Sequence, residues 1–500
     1  MSTHPRNRPF VLTPEDIDGI SSAFRKAGFD ESGVITALGV TAIPALRDLP
    51  AEVAYRRTSA ESPLNTLIRL FVIGAPALPE AIRKAFDGMQ PERLTAGGLL
   101  SEKAGKLFAA AKMTPIGGLW IAFDRSWEGE TTEPPDHVMG PSDSASLLAG
   151  LIIRRGFESV LDVGAGCGYL AFLAAKNNKR VVATDLNPRA AAFVELNARL
   201  NGIRNVEVRT GDLFAPVAGE RFDLVISNPP FVISPEERLV YLNGGMKADA
   251  FCQRMAAEAP AFLSEGGFFQ MLCNWVENAD IDWQERLHGW FRDGGCDTWV
   301  LRSSSTDPVT YAQTWMKAGH YQATEDHDAR LEAWLEYYRE EKVAAIGAGV
   351  VIMRKRSGGG NWFRSFNGPE KIAGQCGEVV LERMQALDYM AHRAKDDAAL
   401  MASIFRVSEK VRLTQECRPS AEGWAQTKAS IRVIEGFTYV EEIDIWFAEL
   451  LVACDGKRTL EQAVAKTSAA LGLGADEVPT ETAEIARQLV DEGFLVPILP

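Results

Sequence analysis

From residue 159 to residue 353, short apolar runs alternate with helical patterns. That alternation restricts the chain to a parallel sheet with helices packed on its faces. The strand-like runs fall at 159–163, 181–184, 206–208, 223–227, 267–273, 298–301 and 349–353, with helices such as 187–200 and 249–263 between them. Parallel neighbours cannot be joined by a tight turn, so each pair needs a crossover of a dozen or more residues. The expectation is an α/β fold with a doubly wound, mostly parallel, seven-stranded sheet. In such sheets ligands sit beyond the carboxyl ends of the strands.

Two of those ends carry unusual residues. The run Asp223-Leu224-Val225-Ile226-Ser227 stops at Asn228-Pro229-Pro230-Phe231, and two prolines cannot continue a ladder. An amide, a stiff backbone and an aromatic ring are thereby fixed at a strand tip. The run Val160-Leu161-Asp162-Val163 enters Gly164-Ala165-Gly166-Cys167-Gly168 and then a helix from Tyr169. Glycines let a backbone pass close to a ligand, and a helix amino terminus adds oriented N–H groups.

A glycine turn alone is weak evidence, because many α/β proteins use one for packing. Three acids strengthen it. Asp162 precedes the turn and suits a cationic amino group. Asp185 ends the next strand, where a carboxylate can accept both hydroxyls of a ribose. Gly211-Asp212-Leu213-Phe214 ends the third strand, where an acid can accept a proton from an adenine amino group. A dinucleotide is the competing ligand, but its G-x-G-x-x-G spacing is absent, and a pyrophosphate has no use for an acid ahead of the loop.

Charge and composition narrow the class. With 53 Lys and Arg against 67 Asp and Glu, the net charge is −14, which argues against sequence-blind nucleic-acid binding. No apolar run approaches the roughly 20 residues of a membrane helix. No apolar segment follows the basic start Met1–Arg6, so a secretory signal is not expected. The seven cysteines, at 167, 252, 273, 296, 376, 417 and 454, include no C-x-x-C pair. Free thiols in a reducing cytoplasm are expected, with no metal site.

Five hundred residues imply two to four domains. Residues 1–130 give several helices and a hairpin at 116–123, with 15 basic and 15 acidic residues, and read as a winged-helix-like domain used for packing or substrate orientation. Glu128–Pro135 is the expected linker, and residues 136–356 form the sheet domain. Ser142 or Asp143 starts a helix through Arg155. The loop Ser357-Gly358-Gly359-Gly360 marks the next boundary. Within 361–500, residues 361–435 give weak signals. From Glu441, three helices and a short strand again resemble a winged helix. Residues 441–500 hold 4 basic and 12 acidic residues and read as a protein-contact module.

The D-x-G-x-G-x-G loop, the acid after the second strand, the G-D after the third and N-P-P-F after the fourth resemble the class I S-adenosylmethionine-dependent methyltransferases, over about residues 140–356. The resemblance implies S-adenosylmethionine as cofactor. Asp162, Gly164, Gly166 and Gly168 would cradle its methionine part, Asp185 its ribose, and Asp212 with Leu213 its adenine. N-P-P-[FY] resembles the subset that methylates nitrogens attached to sp2 carbon. Such a nitrogen is a poor nucleophile, and two acceptors gripping its N–H protons hold it in line with the methyl. Asn228 Oδ1 and the Pro229 carbonyl are the expected pair, with Pro230 stiffening the turn and Phe231 stacking on the planar group.

The layout resembles the release-factor glutamine methyltransferase (HemK-type) group and its small-domain relatives that act on ribosomal RNA. The acidic charge favours a protein glutamine amide, with a translation-factor-like protein as partner. Phe231 in place of tyrosine favours the alternative, a guanine N2 or adenine N6 in RNA or DNA. A non-catalytic cofactor-binding module is a third class. Val232–Arg238 with Asn243–Met246 is the expected lid, and Asn274 and Trp275 end the fifth strand near the site. His137–Ser142 sits where glutamine methyltransferases carry a substrate-contacting segment.

Overall fold

In a computed structural model of the chain, residues 10–125, 134–236, 244–292, 294–318, 327–420, 423–473 and 481–499 are described. Each apolar run of the sheet region becomes a strand: β1 (Ser159–Val163), β2 (Arg180–Asp185), β3 (Val206–Thr210), β4 (Phe222–Ser227), β5 (Leu263–Glu277), β6 (Cys296–Thr306) and β7 (Ala345–Lys355). An eighth, β8 (Phe363–Asn367), follows the glycine loop, so the sheet has eight strands where seven were expected. The sequence run there, Phe363-Arg364-Ser365-Phe366-Asn367, is half polar, and this hid it.

Two compact units are present. One holds Met1–Leu148, Arg155–Cys296 and Ser305–Ser357; the other holds Ala149–Arg154, Asp297–Ser304 and Gly358–Pro500. In the first unit the strands run β3-β2-β1-β4-β5-β7. The pairs β3-β2, β2-β1, β1-β4 and β4-β5 are parallel, and β7 is antiparallel to β5. Strand order reverses between β1 and β4, which places a crevice beyond their carboxyl ends. Strands β1, β2 and β4 are buried nearly throughout, as a sheet covered on both faces requires.

The helices of this unit are α1 (Asp143–Leu151), α2 (Tyr169–Ala175), α3 (Pro188–Leu200), α4 (Ala250–Glu258), α5 (Trp283–Phe291), α6 (Pro308–Ala318) and α7 (His327–Glu340). Helix α1 stops short of the expected Arg155. Helices α6 and α7 lie in the stretch between β6 and β7 that the sequence left without elements. The expected linker falls largely in 126–133, outside the described residues.

The amino-terminal segment belongs to this same unit. Thr13 closes a capping box with Asp16, and Gly28, at φ 68°, ends the helix Pro14–Ala27. Phe24 packs among Phe29, Phe71, Phe86 and Trp120. Two hairpins follow, Leu100–Lys103 with Lys106–Ala109 and Lys112–Ile116 with Leu119–Phe123. The segment therefore holds more helices and one more hairpin than the small winged-helix plan expected.

Leu119–Phe123 would be an edge with free backbone groups, a liability in any sheet. Helix α3 and its end cover it. Asn197 Oδ1 accepts the Ala122 N–H at 2.8 Å, and its Nδ2 donates to the Ala122 carbonyl and to the Cys167 carbonyl of the glycine loop, both at 2.9 Å. Asn201 repeats the pattern on Trp120, at 2.9 and 2.8 Å. Four residues of helix rise about 6 Å and two residues of strand span about 6.8 Å, so the two asparagines match alternate strand residues.

In the second unit, β8 pairs in parallel with β6. Strand 404–407 lies between 455–459 and 495–497, and 411–420 forms a long hairpin with 423–433, which also pairs with 440–442. The helices expected after Glu441 are Ile445–Ala453, Leu460–Leu471 and Thr482–Glu492. Buried Arg383, on the helix Gly377–His392, donates to the Val490 and Asp491 carbonyls at the end of the last of these. All seven cysteines are free. No single described helix is long and apolar enough to cross a membrane.

Asn197 is fully buried. Replacing it with alanine strands three backbone groups, each costing about 1–3 kcal/mol. Asn197→Ala is expected to lose about 3 kcal/mol or more in urea unfolding, and Asn201→Ala, half-buried, distinctly less. Equal, small losses would show that the hairpin edge does not depend on this helix.

Candidate active site

A cavity of about 530 Å³ opens beyond the carboxyl ends of β1, β2, β3 and β4, within the range of small-ligand sites. Gly164, Gly166, Asp185, Asp212, Leu213, Asn228 and Pro230 all reach its wall. So does the segment 135–142, including His137 and Ser142. Asp162, Gly168, Pro229 and Phe231 do not.

Three glycines shape the loop. Gly164, Gly166 and Gly168 have φ of 73°, 55° and 84°, in the left-handed region that a side chain disfavours. A Cβ on Gly164 or Gly166 would meet open space, whereas one on Gly168 would lie 2.7 Å from the Phe172 ring. The first two therefore keep the backbone bare towards the cavity and the third allows α2 to close on the sheet. The loop is latched to β2: the Gly164 and Ala165 N–H groups donate to the Thr184 carbonyl at 2.8 and 3.0 Å.

Asp185 completes the latch, accepting the Gly166 N–H on Oδ2 and the Asn187 N–H on Oδ1, both at 2.8 Å. Each carboxylate oxygen retains acceptor capacity, so the latch does not preclude a pair of hydroxyls. Burial pushes its carboxyl above the ordinary range, against the two backbone donors. Asp162 is 1% exposed and neither of its oxygens has a hydrogen-bond partner. Burial drives its pKa up to about 7, against the nearby Ala171 N–H and with the Asp185 charge adding to the rise. No donor stands in full hydrogen-bond geometry to this buried carboxyl, and it lies just behind the bare loop. These features fit the methionine end of S-adenosylmethionine.

The adenine side differs from expectation. Asp212 is half-exposed and its Oδ2 accepts from Arg254 Nη2 at 2.9 Å, while Arg254 Nε donates to Glu258 at 2.7 Å. Arg254, on α4, also reaches the cavity, and no sequence motif announced it. Leu213 has φ 43°, rare for a bulky residue, and such strain concentrates at functional sites.

At the tip of β4, Ser227 Oγ donates to the Val163 carbonyl at 2.8 Å, tying the end of β4 to that of β1. Asn228 follows immediately. Its Nδ2 donates to Ser144 Oγ at 3.2 Å, whereas its Oδ1 is buried with no partner. Pro229 is buried and Pro230 half-buried. The Phe231 ring meets Trp315 edge-on, centroids 6.1 Å apart, in a core cluster with Tyr311, Trp334 and Tyr338. The ring is not among the residues on the cavity wall.

Helices α6 and α7 hold what comes next. The Tyr311 hydroxyl accepts the Ile233 N–H at 3.2 Å and an Asn274 Nδ2–H at 2.7 Å. Tyr338 donates to the Ile233 carbonyl at 2.8 Å, and Trp334 Nε1 to Glu236 at 3.1 Å. Asn274 thus acts through Tyr311, and Trp275 is a core residue stacked on Trp283. Of the expected lid, 237–243 lie outside the described residues; Gly244 and Met246 reach the cavity wall. Segment 135–142 is fixed by Asp124, which accepts from Val138 N at 3.0 Å and Arg189 Nε at 2.8 Å. Among the described residues no group of three or more His, Cys, Asp or Glu could hold a metal ion.

A family model described as methyltransferase small domain matches residues 141–293. Two models for domains of unknown function match residues 26–111 and 381–497. A putative protein N5-glutamine methyltransferase of Methanocaldococcus jannaschii is 32% identical over 152 residues, 29% of this chain and 76% of that protein. A release factor glutamine methyltransferase of Geobacter sulfurreducens is 33% identical over 181 residues, 33% of this chain and 61% of its own. A ribosomal protein uL3 glutamine methyltransferase of Bradyrhizobium diazoefficiens is 33% identical over 160 residues, 29% of this chain and 49% of its own. The match thus spans between half and three quarters of these relatives, and under two fifths of this chain.

Asp162 gives a pH signature in the ligand-free protein. Its folded pKa, about 7, lies above the ordinary 3.8, so the folded state keeps a proton that the unfolded state releases. Stability from this group is present below pH 4 and is lost as pH rises towards 7. Asp162→Asn should flatten that decline in thermal unfolding between about pH 4 and 7, and should weaken S-adenosylmethionine binding in calorimetry. An unchanged pH profile with unchanged affinity would remove Asp162 from the site.

Proposed function

This chain belongs to the methyltransferase small domain family and is a methyltransferase; we propose that its acceptor is the side-chain amide nitrogen of a protein glutamine. The carrying observation is Asn228: a carboxamide at the tip of β4, on the cavity wall, with a buried and unpartnered Oδ1. An amide nitrogen shares its lone pair with a carbonyl, so it needs orientation more than it needs a strong base. Asn228 Oδ1 accepts one N–H of the acceptor nitrogen; Pro229, the expected second acceptor, does not reach the cavity wall. With that proton gripped, the lone pair is turned towards the methyl, and the nitrogen loses a proton as its new bond to carbon forms and the carbon–sulfur bond breaks. The hydrogen bond also favours the tetrahedral geometry that the nitrogen reaches in the transition state. S-adenosylmethionine, when bound, supplies the electrophilic methyl. Gly164, Gly166, Asp162 and Asp185 would hold its methionine and ribose, and Leu213, with Asp212, its adenine.

The alternative acceptor, a nucleobase, rests on Phe231 in place of tyrosine, and the ring of Phe231 meets Trp315 and is not on the cavity wall. The one Lys or Arg among the described wall residues is Arg254, already paired with Asp212 and Glu258. A nucleic-acid backbone needs unpaired cations along its path. The relatives named for glutamine support the same choice, with a translation factor or ribosomal protein as the class of partner. The acidic carboxyl-terminal helices, winged-helix-like in their order, read as a protein-contact module, and the free thiols fit a reducing cytoplasm. A non-catalytic role fits poorly with an intact Asn228-Pro229-Pro230 turn.

Cell extract incubated with methyl-labelled S-adenosylmethionine should give label that protease removes and RNase does not. Asn228→Ala should cut that labelling by roughly 10²-fold while leaving cofactor affinity near wild type, as for loss of a preorganised polar contact. Label lost to RNase alone would overturn the glutamine reading.

A further inference from the structure

Asn228 has a problem that its neighbours solve. A carboxamide is planar and nearly symmetric in shape, but one end accepts and the other donates. Turned by half a revolution, Asn228 would present an N–H to an acceptor nitrogen that also carries N–H groups. Donor would face donor, and the grip on the substrate would be lost.

A serine hydroxyl accepts at the Nδ2 end only when its own proton is turned elsewhere, and a second serine lies where that proton can go. Asn228 Nδ2 donates to Ser144 Oγ at 3.2 Å. Ser144 Oγ lies 2.7 Å from Ser142 Oγ, and Ser142 Oγ caps α1 by accepting the Ala145 N–H at 3.1 Å. The serine pair is therefore anchored on the first turn of a helix, not on a free loop. Ser142 also reaches the cavity wall, beside Asn228. Arg47 holds the intervening Asp143 in a two-bonded ion pair at 2.9 and 3.0 Å, which steadies that turn.

We propose that Ser144, with its own proton given to Ser142 Oγ, is a positioning residue that accepts from Nδ2 and so holds the Asn228 carboxamide with Oδ1 towards the methyl acceptor. This rests on the glutamine reading for its purpose, though not for its geometry. Neither serine needs to touch the substrate. Their effect is on the fraction of molecules whose Asn228 can grip an N–H, so it falls on turnover and not on cofactor binding.

Ser144→Ala should lower kcat about 5–10-fold, the effect of losing one neutral hydrogen bond, with cofactor Kd unchanged. Ser144→Thr, which keeps the hydroxyl, should restore most of the rate. A loss of equal size in Ser144→Thr, or a loss carried by cofactor Kd, would overturn the proposal. A second readout is independent of any substrate. In protein labelled with 15N-asparagine, the side-chain NH2 signal assigned by its absence in Asn228→Asp should show slowed exchange in wild type and faster exchange in Ser144→Ala. Identical exchange in both would overturn the positioning role. If wild type labels no protein while the exchange difference is present, the glutamine reading fails and the positioning stands.

Discussion

Asn197 is the residue on which the first unit depends. One buried carboxamide pairs the edge of the amino-terminal hairpin and, through its second N–H, the Cys167 carbonyl of the glycine loop. Buried backbone groups must find partners, and here a side chain replaces a neighbouring strand. The amino-terminal segment is thereby part of the wall that holds the loop. From there the loop passes to Thr184 and Asp185 on β2. Position is inherited in steps, from hairpin to helix to loop.

The same logic runs on the acceptor side, with the opposite sign. Most buried polar atoms around the crevice are satisfied, yet the Asp162 oxygens and Asn228 Oδ1 are not. Each unsatisfied group costs stability, so one on the cavity wall and one behind the glycine loop are expensive unless something else completes them. One is a carboxyl that suits a cation. The other is an amide oxygen that suits an N–H. In the proposed function, the cofactor and the methyl acceptor bring the donors that these two groups lack.

Much of this was legible in the sequence. The apolar runs gave the strands because a doubly covered parallel sheet demands continuous apolar residues. The glycine loop, Asp185 and Asn228 were legible because their chemistry is local to a strand end. What was not legible was non-local. Nothing in sequence places Trp315 against Phe231 across some eighty residues. Asp212 looked free until Arg254, on α4, appeared beside it. Ser144 carries no signal of its own inside the helix that Ser142 or Asp143 starts, and β8 is too polar for its period to show. The amino-terminal residues read as a separate domain because the asparagines that attach them lie on α3 and at its end.

The central claim is that the methyl ends on a glutamine side-chain nitrogen. Acid hydrolysis cuts the bond between that nitrogen and its carbonyl carbon, and so releases a methylated amide nitrogen as methylamine. Protein from extract of cells lacking this chain, incubated with it and methyl-labelled S-adenosylmethionine, should release labelled methylamine on acid hydrolysis, and none with Asn228→Ala. Label that stays on a nucleoside, or on an amino acid that survives hydrolysis, would contradict the account.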